Sequence, residues 1–251
     1  MPANQGKFVW YELMTPDPAA AEGFYSSVIG WDVEHSDISG TPYTVFSAAG
    51  NRVAGMMALP EGGHPAWLGH IGVDNIDDGL GQVTGAGGKI YHPASDIPNI
   101  GKFAVVADPQ GAAFMLFQST SVPGEPNDPH APGQTGWHEL YAIDYEKAFE
   151  FYSGLYGWVE AGIANMGAMG NYQMFSVDGH VTGGMMNKPA MVPAPGWLYY
   201  FNVASAGEAV FRIEAGGGKV MHGPQEVPGN SWIVQALDPQ GVLFAVVAPK
   251  P

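Results

Sequence analysis

The feature that most constrains this chain is a tandem duplication. Residues 8–31 and 136–158 carry Trp-x-Glu-Leu, Phe-Tyr-Ser and Gly-Trp in the same order, and Trp10 aligns with Trp137. The match continues to paired Asp-Pro-Gln-Gly segments at 108–111 and 238–241. We therefore expect two copies of one folding unit, so a site proposed in one copy must be checked in the other.

The repeat also predicts where the domains lie. A chain of 251 residues can form two domains with full cores. Residues 119–135 are rich in Pro and Gly and lack an apolar period, which is typical of an extended linker. We predict a first domain at 1–118, a linker at 119–135 and a second domain at 136–251.

The secondary-structure pattern is a strand, a helix and three further strands. Phe8–Met14 alternates like a half-buried strand, and Asp17 with Pro18 then provides a helix cap followed by Pro at the first helical position. The helix is predicted to end at about Val28, before Gly30. Because the pattern recurs inside each half, the sequence predicts an α+β protein of four βαβββ modules.

Composition excludes several classes of partner. A net charge of −15 with no Lys/Arg cluster argues against nucleic acid and anionic membranes. We find no signal-peptide pattern and no run of about 18 apolar residues, so we expect a cytoplasmic protein. Its expected oligomeric state is a monomer with two domains or a homodimer. Since the chain lacks cysteine, any metal would need His, Asp or Glu ligands.

The motifs resemble a known family. Glu-Leu-x-Thr-x-Asp, Phe-Tyr and Gly-Trp at 12–31, their echo at 139–158 and the two Asp-Pro-Gln-Gly turns are similar to the vicinal oxygen chelate superfamily, which includes glyoxalase I, extradiol dioxygenases and bleomycin-resistance proteins. The tandem actinobacterial branch labelled glyoxalase-like or hydroxylase is the most similar. The resemblance implies two glyoxalase-like domains with cup-shaped mixed sheets, but many chemistries share this fold.

In metal-dependent members, side chains on the first and last strands of the modules hold a divalent ion. The resemblance implies that these positions carry apolar or aromatic side chains here: Trp10, Leu68, Met115, Trp137, Leu198 and Ala245. The last strand of the first module in each half offers only the neighbourhood of Gly55-Met56 and Gly184-Met185. None of these side chains is a usual ligand for such an ion. We therefore predict no metal site and no cofactor, with a divalent metal on displaced ligands as the alternative.

Four polar residues are predicted to face the cups. Glu12 and Glu139 lie two positions after Trp10 and Trp137, while His70 and Tyr200 lie two positions after Leu68 and Leu198, so each pair shares a strand face. They are candidate catalytic groups, because a buried carboxylate can act as a general acid or base. The plainer interpretation is structural: the carboxylates would accept backbone hydrogen bonds from a turn, and His70 would be a satisfied core residue. The candidate ligand-binding residues are Trp10, Trp67, Leu68, Met115, Trp137, Trp197 and Leu198, although the tryptophans could also simply fill the core.

Three functions are compatible with this pattern. The favoured one is binding of a small aromatic or polycyclic metabolite, including an antibiotic, in an apolar cup. The alternatives are an isomerase, lyase or hydroxylase that uses a Glu/His or Glu/Tyr pair, and a degenerate structural or interaction protein. Short connections favour sequential pairing of modules, which groups Glu12 with His70 and Glu139 with Tyr200, over crossed pairing.

Overall fold

The structure, a computed structural model, describes residues 4–38, 40–121 and 128–251. These residues form sixteen strands and four α-helices in the predicted modular order. The elements are β1 (Phe8–Thr15), α1 (Pro18–Ile29), β2 (Asp32–Ile38), β3 (Thr41–Ala48), β4 (Asn51–Ala58), β5 (Ala66–Gly72), α2 (Ile76–Gly85), β6 (Lys89–Ile97), β7 (Gly101–Ala107), β8 (Ala113–Ser119), β9 (Thr135–Ala142), α3 (Tyr145–Tyr156), β10 (Val159–Asn165), β11 (Asn171–Val177), β12 (His180–Asn187), β13 (Gly196–Asn202), α4 (Ala206–Ala215), β14 (Lys219–Val227), β15 (Ser231–Leu237) and β16 (Leu243–Ala248). A short 3-10 turn, Gly167–Met169, joins β10 to β11.

The repeated sequence signals fix the ends of α1 and α3. The Asp17 side chain accepts a hydrogen bond from the Ala20 amide, and Gly30 ends α1 with a φ of 90° in the left-handed region. Asp144 and Gly157 play the same parts in α3. The predicted helix from Pro18 to about Val28 is confirmed, with one further residue at its end.

The strands form two mixed sheets of eight strands each. Their orders are β2-β3-β4-β1-β5-β8-β7-β6 and β10-β11-β12-β9-β13-β16-β15-β14. The parallel pairing of β1 with β4 places Glu12 beside Gly55, and that of β9 with β12 places Glu139 beside Gly184. The α+β class and the four modules are confirmed, and each sheet contains two modules that are consecutive in the chain.

Contacts between residues divide the chain differently from the sheets. One compact unit holds residues 4–9, 68–121 and 138–197, and so contains the second and third modules. The other holds residues 10–38, 40–67, 128–137 and 198–251, and contains the first and fourth modules. Residues 122–127 of the predicted linker lie outside the described residues, and the predicted domain limits at 118 and 136 stay predictions.

The unit of the first and fourth modules has a hydrogen-bonded chain in its aromatic core. The Trp67 indole donates to the Tyr25 hydroxyl at 2.9 Å, and that hydroxyl donates to Asp238 at 3.0 Å. The other oxygen of Asp238 accepts from the amides of Gln240, within its own turn, and Val242, directly after it. The repeated Phe-Tyr motif and this turn therefore stabilise the unit together.

The unit of the second and third modules repeats the same chain. Trp197 donates to Tyr152 at 3.0 Å, and the Tyr152 hydroxyl donates to Asp108 at 3.4 Å. Tyr152 also stacks on Trp158, with ring centroids 5.2 Å apart. The repeated Phe-Tyr, Gly-Trp and Asp-Pro-Gln-Gly motifs thus have a structural explanation in both units.

Candidate functional site

Each module has one sheet face on which helices and aromatic core residues pack and an opposite face, which we call the far face. In the first module, Phe46 packs on Trp31, which stacks on Tyr25 of α1. Glu12 lies in register with Gly55, which pairs with Val45, the residue next to Phe46. Because adjacent strand residues point to opposite sides, Glu12 lies on the far face.

Glu12 is held there by a phenol and an indole. The Tyr43 hydroxyl donates to Glu12 Oε2 at 2.7 Å, and Trp10 Nε1 donates to the same hydroxyl oxygen at 3.1 Å. Glu12 is buried, and its Oε1 atom has no hydrogen-bond partner among the described residues. Half of the carboxyl group is therefore satisfied by the protein, and half is left without a partner.

Burial sets the protonation of this group. Desolvation raises the pKa of Glu12 to about 8, although the hydrogen bonds from Tyr43 and Trp10 act in the opposite direction. Burial and the neighbouring carboxyl group raise the pKa of Tyr43 far above its usual value. Since Glu12 accepts from a phenol, the expectation that it accepts backbone hydrogen bonds from a turn is corrected.

A glycine makes room for this arrangement, and the third module repeats it. A Cβ atom at Gly55 would collide with the Tyr43 hydroxyl, and one at Gly184 would collide with the Tyr172 ring. Glu139 is buried beside Gly184, as Glu12 is beside Gly55. Both halves therefore place a tyrosine across the glycine that neighbours the buried glutamate.

His70 lies on the far face of the second module. It is in register with Met115, and its neighbour Ile71 pairs with Leu116, which lies against Gly79 of α2. His70 is 3 % exposed, and within the described ranges neither ring nitrogen has a hydrogen-bond partner. Desolvation lowers the pKa of His70 to about 3, so the imidazole is neutral near pH 7. The expectation of a satisfied core histidine is therefore wrong.

Tyr200 occupies the equivalent position in the fourth module. Its neighbour Phe201 packs in the aromatic core, 5.1 Å from Trp67 between ring centroids, so Tyr200 points to the far face. Gln235 Nε2 donates to the Tyr200 hydroxyl at 2.7 Å. Tyr200 is buried and has an internal partner.

The predicted ligand-binding residues fall on two faces. Trp67 and Trp197 are buried in the aromatic cores, where their indoles donate to Tyr25 and Tyr152. Strand alternation places the other five on far faces: Trp10, Leu68, Met115, Trp137 and Leu198. A ligand contact at any of the seven stays a prediction.

Sequence reasoning missed the partners of the polar groups. Tyr43 and Tyr172 were visible as a repeated tyrosine that begins a strand, and Gly55 and Gly184 as the repeated Gly-Met-Met. Their relation to Glu12 and Glu139 depends on the strand register, which the sequence did not provide. Gln235 had no signal, because Val105 stands at the matching position of the other half.

A surface cleft and the spacing of the His, Asp and Glu side chains also bear on ligand binding. A cleft of about 370 Å³ is lined by Ala86, Pro109, Gln110, Lys147, Glu150 and Phe151, none of which is a predicted site residue. In the part of the chain that the structure describes, no three His, Asp or Glu side chains are grouped so as to hold a metal ion. The same part contains no helix with the length and hydropathy needed to cross a membrane.

Comparison with known proteins identifies the family of this fold. The model of the glyoxalase/bleomycin resistance protein/dioxygenase superfamily matches residues 134–246, and that of a glyoxalase-like domain matches residues 10–117. CFP32 of Mycobacterium bovis, which carries the name of a glyoxylase, is 30% identical over 254 residues, covering 99% of this chain and 97% of that protein. The chain therefore belongs to the glyoxalase/bleomycin resistance protein/dioxygenase superfamily, also called the vicinal oxygen chelate superfamily, whose members bind small molecules and are often metal-dependent enzymes.

Further relatives and solved structures agree with this assignment. The anthracycline biosynthesis protein DnrV of Streptomyces peucetius is 30% identical over 258 residues, covering 96% of this chain and 93% of that protein. The 2,2',3-trihydroxybiphenyl 1,2-dioxygenase of Sphingomonas wittichii has a TM-score of 0.67 at 14% identity, covering 96% of this chain and 89% of that one. The Mn(II)-bound glyoxalase of Novosphingobium aromaticivorans has a TM-score of 0.63 at 16% identity, covering 96% and 81%. These two structures support the fold alone.

Proposed function

We propose that this protein binds a small aromatic or polycyclic molecule, and that Glu12 provides a polar contact to it. The observation that carries the proposal is the buried Glu12 carboxyl group, of which Tyr43 engages one oxygen and no described residue engages the other. A buried polar atom without a partner is unfavourable, and a ligand that forms a hydrogen bond with Oε1 would remove that penalty.

The neighbours of Glu12 suit an aromatic ligand. Trp10 and Tyr43 are half-buried, and Met14 pairs with Met57 beside them on the same far face. Indole, phenol and thioether groups give a polarisable apolar surface that adapts to a bulky ring system. A relative named as an anthracycline biosynthesis protein aligns along nearly the whole chain, which favours polycyclic aromatic ligands within this class.

We further propose that binding does not use the metal set of the family. The six positions to which the family resemblance assigns metal ligands carry indole, aliphatic and thioether side chains, which do not fit a divalent ion. Metal analysis of protein purified without chelator tests this point. We expect less than a tenth of an equivalent of Mn, Fe, Ni or Zn, and a stoichiometric amount of any of them would contradict it.

Proton transfer is the second candidate function, and the protonation of Glu12 favours it. A pKa of about 8 leaves both forms of this carboxyl group populated close to neutral pH, which suits a general acid or base. Under this alternative, a bound substrate is converted and Glu12→Gln abolishes turnover but preserves binding.

Titration with daunorubicin, an anthracycline, tests the binding proposal by calorimetry. We expect saturable binding by the wild type and at least tenfold weaker binding by Glu12→Gln, because the amide changes what the free oxygen position can accept and donate. Glu61→Gln is the matched control, since Glu61 is exposed in a loop of the same compact unit. No binding by the wild type, or equal affinities for Glu12→Gln and wild type, would overturn the proposal and favour a structural protein.

A further inference from the structure

His70 is a buried polar group that the proposed function of Glu12 leaves unexplained. The ring lies against Phe117, with centroids 5.8 Å apart, and in register with Met115. Its two nitrogens are inaccessible to solvent and have no hydrogen-bond partner among the described residues. Buried polar atoms normally have partners, so an imidazole with two unpaired nitrogens needs an explanation.

The fourth module shows how the same position is satisfied elsewhere. Tyr200 pairs with Ala245, and Gln235 pairs with Ala245 from the other side, which lets Gln235 reach the Tyr200 hydroxyl. In the second module His70 pairs with Met115, and Val105 pairs with Met115. The strand registers are equivalent, but valine has no group that can bond to an imidazole. Val105 in place of Gln235 and Met115 in place of Ala245 therefore leave His70 without a partner among the described residues.

The chemistry of a neutral imidazole defines what can bind there. One ring nitrogen donates and the other accepts, so the ring can accept from a hydroxyl group or donate to a carbonyl group. Met115 and Phe117 on the same face offer apolar contacts to a planar ring. An anionic ligand would find no counter-charge at this imidazole, because burial lowers the pKa of His70 to about 3 and keeps the ring neutral near pH 7.

We propose that His70 is a specificity-determining residue that binds the hydroxyl group of a hydroxylated aromatic ligand on the far face of β5 and β8. The inference rests on the proposed function, since it requires that the protein bind an aromatic small molecule. It adds the chemical group that the protein selects and the residue that selects it.

Two probes that differ by one hydroxyl group test this inference. Calorimetric titration compares 2-hydroxyanthraquinone with anthraquinone, and the ratio of their dissociation constants reports the selection. For the wild type we expect the hydroxylated probe to bind at least tenfold more tightly. His70→Phe should reduce the ratio to about one, with little change in the affinity for anthraquinone.

Val105→Gln provides a second variant that keeps His70 in place. The new amide copies Gln235 of the fourth module and should bond to His70, so the preference for the hydroxylated probe should fall at least fivefold. His64→Phe is the matched control, because His64 is exposed in a loop and should keep the wild-type ratio. Val105→Gln keeps the test decisive if His70→Phe does not fold.

The outcomes separate the two proposals. If His70→Phe and Val105→Gln bind both probes with the wild-type ratio, the role of His70 is wrong and the binding function stands. If the wild type shows no preference for the hydroxylated probe, the inference is likewise wrong. If the wild type binds neither probe, the inference fails, and the daunorubicin titration decides whether the binding function fails with it.

Discussion

The far faces of the second and fourth modules share a register but treat their central polar residue in opposite ways. On β13, Tyr200 receives a hydrogen bond from Gln235, and both groups belong to the protein. On β5, His70 faces Met115 and Val105 through the same pairing, and its nitrogens are unpaired within the described part of the chain. The duplication kept the backbone and changed the chemistry of one face.

The difference should affect stability, because His70 has no hydrogen-bond partner among the described residues and Tyr200 has one. An unpaired buried polar group costs about 1–3 kcal/mol, while a formed hydrogen bond contributes about 1 kcal/mol. Glu12 is intermediate, because one of its oxygens is bonded and the other is not. The Tyr200 hydroxyl of the fourth module has a partner within the protein, whereas Glu12 and His70 each keep a buried polar atom without a partner among the described residues.

The largest expected effect is that of Glu12→Gln on how the free energy of unfolding depends on pH. A carboxyl group with a pKa of about 4.5 when unfolded and about 8 when folded keeps its proton longer in the folded state. Stability should therefore fall as the pH rises between these values, and Glu12→Gln should remove that fall. Between pH 4.5 and pH 9, we expect the free energy of unfolding of Glu12→Gln to rise by about 4 kcal/mol relative to that of the wild type, as measured by urea unfolding.

Identical pH profiles for the two proteins would contradict the buried state of this carboxyl group. Glu61→Gln again serves as the control, because an exposed glutamate should leave the profile unchanged.

The next effect has the opposite dependence on pH. His70 has a pKa of about 3 when folded, against about 6.5 when unfolded, so the unfolded chain takes up a proton that the folded protein does not. Stability should fall as the pH drops from 6.5 to 4.5, by about 2 kcal/mol from this residue. Unfolding of His70→Phe over the same range should show that much less acid sensitivity.

His138 sets the background for this measurement. Burial also lowers its pKa, to about 4, and its Nδ1 lies 2.9 Å from the Thr182 carbonyl oxygen. Since both proteins contain His138, its contribution cancels in the comparison. An acid sensitivity that is equal in wild type and His70→Phe would show that His70 titrates normally.

The smallest expected effect comes from Gln235→Val, which gives the fourth module the residue that the second module has at this position, Val105. Gln235→Val should remove the hydrogen bond to Tyr200 and lower the free energy of unfolding by about 1 kcal/mol, because a buried phenol loses that partner. Gln225→Val, at an exposed position of β14, is the control. Equal stabilities of the two variants would mean that Tyr200 does not depend on Gln235.

The sequence predicted the fold because its signals are local and repeated. Asp17, Pro18 and Gly30 bound a helix by their own backbone preferences, and the copy around Asp144 and Gly157 confirmed the unit. The compact units group the first module with the fourth and the second with the third, which is the crossed pairing that the sequence left as the less favoured alternative. The sequence did not favour it because these units depend on long-range contacts such as Tyr25 with Asp238. Sequence separation of 213 residues leaves no local pattern to detect.

The candidate site was predicted only in part. Alternation along a strand located Glu12, His70, Glu139 and Tyr200, because that rule needs one strand alone. It did not locate Tyr43, which reaches Glu12 across β4 over Gly55, or show that Trp67 bonds inside the core. Those contacts depend on register between strands and on packing, which a single sequence does not specify.

The most direct test of the account is the sign of the stability change at two equivalent positions. Urea unfolding at pH 7.5 compares His70→Phe and Tyr200→Phe with the wild type, since both substitutions remove the polar group and keep an aromatic ring. We predict that His70→Phe raises the free energy of unfolding by about 1 kcal/mol and that Tyr200→Phe lowers it by about 1–2 kcal/mol. A loss of stability in both variants would show that His70 is satisfied within the protein, and the contrast between the two far faces would be wrong.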